Sequence, residues 1–144
     1  MTGPAEFAYT LDIPTRWKDN DVYGHVNNVV YYSFFDTVIN TFLIAEGGLD
    51  IHTGAVIGLC VESHCRYDAP LAFPGTVRAG LAVDRIGVSH VRYAVSLFDA
   101  GGADGAGPPL AAEGWFVHVF VDRTSRRPAP LPDGIRAAVE RLAR

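Results

Sequence analysis

The sequence is poor in several things, and each shortage excludes something. It has one lysine, Lys18, and a net charge of -4. That balance argues against the broad basic footprint of a nucleic-acid-binding chain. The remaining basic residues are arginines, a bias that fixed phosphate contacts and genome composition explain equally well. No apolar run reaches the roughly 18 residues of a membrane span, so no membrane association is expected. The opening MTGPAEFAYT has no basic segment followed by an apolar one, hence no visible secretory signal. There are two cysteines, Cys60 and Cys65, both within one predicted strand. An odd separation along a strand sends them to opposite faces, so no disulfide is expected and a reduced, cytoplasmic setting is. No serine-hydrolase elbow, no phosphate-binding glycine loop and no ligand spacing suited to zinc occurs.

What is present suffices for one domain over residues 1–144: apolar residues make up 49% and charged residues 19%, normal for a globular chain with a core. Residues 6–16 alternate apolar and polar, as in a half-buried strand. A polar loop covers 17–27. From Asn28 to Glu46 the pattern predicts a helix, with Asn27 or Asn28 as cap and Gly47–Gly48 as stop. Its polar residues Ser33, Asp36, Thr37, Asn40 and Thr41 form one narrow stripe. Such a helix must be wrapped by other structure. Four strand-like segments follow, at 55–67, 76–86, 89–99 and 110–121, the last apolar on both faces and so expected to be central or covered. Turn chemistry separates them at 68–75, 86–89 and in the glycine-rich 101–109. LPDGIRAAVERLAR closes the chain as a short helix with Asp133 near its start. One antiparallel sheet around one helix leaves an open edge and an apolar flank, which favours self-association.

The densest polar cluster, DNDVYGHVNN, abuts this greasiest helix. The first N–H groups of a helix have no intrahelical acceptor and form the positive end of its dipole. At the floor of a cleft they make an anion site, suited to the oxyanion of an acyl-transfer reaction. A nearby carboxylate, Asp21, can attack a carbonyl or deprotonate water; the rival reading is that it only caps the loop. Asp19 reads as structural. Gly24 either admits a substrate to the backbone or adopts a positive φ. Asn28 offers its backbone N–H as the oxyanion donor.

The stretch DNDVYGHVNNVVYYSFFD resembles the signature of the hotdog-fold acyl-CoA thioesterases, the 4-hydroxybenzoyl-CoA thioesterase-like family. RYDAPLAFPGTV and VDRTSRRPAPLP are similar to that family's entry into its third strand and its exit from the sheet. The resemblance implies an α+β hotdog fold, a five-stranded antiparallel sheet wrapped around a long central helix. It implies hydrolysis of acyl-CoA or acyl-carrier-protein thioesters by a homodimer or homotetramer, with no metal or other cofactor. The aspartate four residues ahead of the motif histidine, here Asp21, is implied as nucleophile or general base, with His25 orienting substrate or supporting Asp21. In plant acyl-carrier-protein thioesterases, which carry a related HVNN segment, a functional Asn stands where this chain has Tyr23. Tyr23, Val26 and Asn27 are counted as substrate contacts, together with Ser89 and His90 in a strand connection and Asp36 on the helix, for which a structural hydrogen bond is the rival reading. Arg123, Arg126 and Arg127 are candidates for CoA phosphates or a solvated turn. Two alternatives remain: a hotdog-fold enoyl-CoA hydratase or dehydratase, whose motif has different spacing, and a non-catalytic acyl-CoA-binding module.

Overall fold

Five strands and one long helix order the chain in the computed structural model, which describes residues 3–101 and 107–144. A 3₁₀ turn, Pro4–Glu6, precedes β1 (Tyr9–Pro14), and a second, Trp17–Asp19, follows it. Then come α1 (Asn28–Gly47), β2 (Val56–Tyr67), β3 (Thr76–Ile86), β4 (His90–Asp99), β5 (Leu110–Asp122) and α2 (Asp133–Glu140). The expected strand at 6–16 is therefore shorter at both ends. Of the glycine-rich connection expected at 101–109, residues 102–106 lie outside the described residues.

The strands form one antiparallel sheet in the order β1-β3-β4-β5-β2. β5 is interior, as its two apolar faces require, and β2 is an edge. Alternation sends Val77, Ala79, Leu81 and Val83 of β3, with Val91, Tyr93, Val95 and Leu97 of β4, onto the face that meets Phe35, Val38, Ile39 and Leu43 of α1. The hotdog arrangement of sheet around helix is realised. Wrapping is incomplete: Ser33, Asp36 and Thr37 of the polar stripe face solvent, as do Val29 and Ile44.

Asn27, not Asn28, is the cap of α1: its side chain accepts from Val29 N–H at 3.2 Å. Gly48 ends the helix in the left-handed region at φ 69°. At this end the core-lining Ile135 and Ala138 of α2 cover Gly47.

One sequence expectation is overturned. β2 carries a bulge between Cys60 and Glu62, so Cys60 pairs with His118 and Cys65 with Gly114. These partners are four residues apart, an even number, so the extra residue Val61 turns both cysteines to the helix face. They stay apart along the strand, both free, with Cys60 exposed and Cys65 buried. Neither is a primed nucleophile: burial pushes both thiols up, Cys65 to about 11.

Candidate active site

The loop joining β1 to α1 is built as a small closed hairpin. Asn27 N–H donates to the Asp19 carbonyl at 2.9 Å and Asp21 N–H to the His25 carbonyl at 2.9 Å, with Asn20 and Val26 bridged between them. Gly24 makes the reversal at φ 85°. Nothing lies within 4 Å of where its Cβ would sit, so backbone conformation, not crowding, demands glycine there.

The loop is pinned to the segment after β2. Asn20 clamps the Phe73 backbone from both sides, accepting its N–H at 3.0 Å and donating to its carbonyl at 3.3 Å. Val26 N–H donates to Leu71 O at 2.8 Å, and Trp17 packs edge-on against Phe73. Tyr67, the last residue of β2, donates its hydroxyl to the Asn28 carbonyl at 3.0 Å. Burial, with Cys65 and Tyr32 nearby, pushes that phenol up to about 12, so it remains a donor. Asn20 and Tyr67 were not singled out from the sequence. Both lie inside stretches that drew notice, Asn20 in DNDVYGHVNN and Tyr67 in RYDAPLAFPGTV, but their contacts cross between those stretches and neither stretch records them alone.

The two neighbouring carboxylates are placed very differently. Asp19 is 1% exposed. It accepts Arg16 N–H at 2.8 Å and the Arg16 guanidinium at 2.9 Å, which makes it a structural anchor. Asp21 is half-buried and accepts only Tyr23 N–H, at 2.8 Å through Oδ1. Its Oδ2 accepts no hydrogen bond among the described residues. Asp21 also lines a hollow of about 410 Å³ with Trp17, Asn20 and Val22. Around it stand Trp17, Val22 and Tyr23, respectively 83%, 94% and 84% exposed, an apolar rim on a polar loop.

At the helix start, Val29 N–H is taken by the Asn27 side chain and Val30 N–H by the Asn27 carbonyl. Asn28 N–H has no acceptor among the described residues and remains available to a ligand.

The other predicted residues divide. His25 is on the loop with its ring exposed; only its carbonyl meets Asp21, through the Asp21 N–H. Asn27 is occupied as cap. Val26 is 5% exposed and part of the core, so its side chain offers little surface to a ligand in the single chain. Asp36 lies about two turns into α1, where Asn40 donates to it at 3.1 Å. Although it stands on the open side, partial burial pushes its carboxyl above the usual range, the Asn40 bond opposing this. Ser89 and His90 lie at the β3–β4 turn, the opposite end of the sheet from the loop. The eleven residues of β3 separate the two ends by about 35 Å. Arg123 is held by the Gly54 and Ile51 carbonyls at 2.6 and 2.9 Å. Among the described residues no three His, Cys, Asp or Glu side chains converge to hold a metal ion, and no helix is long and apolar enough to cross a membrane.

Comparison with known proteins identifies relatives of this arrangement. A family model described as the thioesterase-like superfamily matches residues 15–139. The PA5185 protein of Pseudomonas aeruginosa is 49% identical over 97% of this chain and 94% of its own, with a TM-score of 0.90. A 1,4-dihydroxy-2-naphthoyl-CoA thioesterase from Synechocystis shares the fold at TM-score 0.78 and 19% identity, over 93% of this chain and 96% of its own. So does the SAV2348 protein of Staphylococcus aureus, solved in complex with CoA, at TM-score 0.80 and 17% identity, over 92% and 82%. No curated protein matches the chain.

Proposed function

The chain belongs to the thioesterase-like superfamily, and from that membership we propose that it hydrolyses acyl-CoA thioesters to a free acid and CoA, using Asp21 and the start of α1. The observation that carries the reading is the pairing of a carboxylate with one uncommitted oxygen and a helix whose first N–H, at Asn28, is free. Both are fixed by one closed loop.

The chemistry follows from these parts. A thioester carbonyl seated at the α1 terminus accepts Asn28 N–H, and the helix dipole stabilises the charge that develops on its oxygen. A preorganised donor of this kind is worth roughly 3–4 kcal/mol. Asp21 either attacks the carbonyl carbon, forming an acyl-enzyme anhydride that water then opens, or removes a proton from the attacking water. The tetrahedral intermediate collapses with departure of the CoA thiolate, a good leaving group that requires no strong acid. Neither route draws on a metal or redox cofactor.

The working unit of this reading is a pair of chains. β2 is an edge strand with Leu59 and Val61 exposed, Val61 at 60%, and unpaired edges recruit partners. If two β2 edges pair antiparallel, the second copy is inverted. Its β3–β4 turn, with Ser89 and His90, then comes to the end of the sheet where this copy's Asp21 loop lies. The turn carrying Arg123, Arg126 and Arg127 comes with it, and offers cations to CoA phosphates. Residues separated by the length of a strand in one chain thus become neighbours across two.

The test is thiol release from a panel of aliphatic and aromatic acyl-CoA substrates, with and without a chelator. Release from at least one substrate, unaffected by the chelator, is expected. Water addition to an enoyl-CoA without thiol release would move the assignment to a hydratase, and binding without turnover to a carrier module.

A further inference from the structure

The face of the sheet turned away from α1 carries a second built cluster that the reaction above does not use. The register places Ala94 of β4 opposite Trp115 of β5, and Trp115 opposite His64 of β2. His64 stacks on the indole with ring centroids 4.2 Å apart and 14° between planes. The Arg92 guanidinium carbon lies 4.5 Å from the indole centroid. Because β2 and β4 flank β5 on opposite sides, the imidazole and the guanidinium cover opposite faces of the ring. The indole N–H donates to Glu62 at 3.0 Å. Trp115 is therefore held on both faces and at its polar edge.

Beside this stack is a hollow of about 280 Å³, with Ala94, Ser96 and the Gly114 backbone on its floor. Ala94 and Ser96 are 8% and 5% exposed, although α1 covers only the other side of the sheet. They sit low between taller walls. Two arginines of the rim are neutralised, Arg66 by Glu113 and Asp68 and Arg144 by Asp84. Arg92 also lines the hollow and has no carboxylate partner among the described residues.

We propose that this hollow is a second ligand site, for a small molecule that combines a flat ring with an oxyanion. The small-residue floor accepts a ring laid flat on the sheet, with the indole edge as a wall. Arg92, preset by its contact with Trp115, forks onto a carboxylate or phosphate, and the Ser96 hydroxyl is placed to donate from the floor. Because the guanidinium and the indole are already immobilised, binding loses little side-chain entropy there. The site stands whether or not the thioesterase reading holds, since the two lie on different surfaces and share no residue.

Calorimetric titration of the full chain tests it with three probes: benzoate, adenosine monophosphate and adenosine. The first two carry the oxyanion as carboxylate and as phosphate, and the tighter one identifies the source; adenosine lacks it. One benzoate or adenosine monophosphate per chain is expected, with adenosine at least tenfold weaker. Arg92→Gln should weaken the anion by about tenfold or more, the usual loss of a charge-assisted hydrogen bond, and Ser96→Ala should weaken it less. Absence of binding by both anions, or binding indifferent to Arg92→Gln and Ser96→Ala, would each overturn the proposal.

Discussion

Asp19 and Asp21 are two residues apart and chemically identical, yet the fold gives them opposite surroundings. Asp19 is enclosed and bonded to Arg16, and its carbonyl holds the N–H of the cap residue Asn27. It ties the end of β1 to the start of α1. Replacing it with Asn removes a buried charge-assisted contact, which costs about 1–3 kcal/mol. We expect Asp19→Asn to lower the thermal midpoint by several degrees, and a midpoint equal to wild type would remove its anchoring role. His25 provides the contrast. Its ring is exposed and bonded to none of the described residues, so on the proposed role in substrate positioning His25→Ala should leave the midpoint unchanged while slowing turnover. Equal turnover at neutral pH would assign it to the loop alone. The sequence motif brought Asp21, Gly24, His25 and the cap residues to notice together. It could not separate the two aspartates by burial, because that depends on Arg16 folding back over Asp19. Nor could it show that Val26 faces inward, because Leu71 fixes the orientation from 45 residues away in the chain.

At the scale of elements, alternation located every strand to within a few residues and the glycine pair located the end of α1. The β2 bulge was invisible, since a bulge is a mismatch between two paired strands and no single strand records it. The consequence was the wrong face for one cysteine. β5 holds another feature hidden from sequence, the buried His118. It lies among Tyr93, Phe116 and Phe120, with its Nδ1 3.0 Å from the Tyr93 hydroxyl and its ring beside Gly58. Burial holds this imidazole down at about 4, against an ordinary 6.5. The unfolded chain binds a proton there near pH 6.5 and the folded chain only near 4. The stability contributed by neutral His118 is therefore complete above pH 6.5, declines as pH falls toward 4, and changes no further below that. Its span is on the order of 3 kcal/mol. Urea unfolding across this window should show a steeper acid loss for wild type than for His118→Gln. Parallel curves would mean that His118 is not held neutral.

For the whole molecule, strand order and the open side of α1 decide which surfaces are left to pair. Neither is local, so the sequence showed only their symptom, an apolar helix needing more cover than one sheet supplies. The proposed antiparallel β2 pairing would account for this together with the distance between the Asp21 loop and the Ser89–His90 turn. Val61→Lys puts a charge on that edge and should shift the mass measured by light scattering from a multiple of 15.5 kDa toward one chain. A wild type that is already monomeric at micromolar concentration contradicts the pairing. The central claim is that Asp21, within this frame, performs the chemistry. Its most direct measurement is steady-state thiol release by Asp21→Asn and wild type on the same acyl-CoA, with thermal midpoints determined in parallel. A kcat lowered by about a hundredfold, the scale of a lost general base or more, is expected, with KM and midpoint little changed because Asn28 N–H and the loop remain in place. Near-wild-type turnover by a folded Asp21→Asn protein would contradict it.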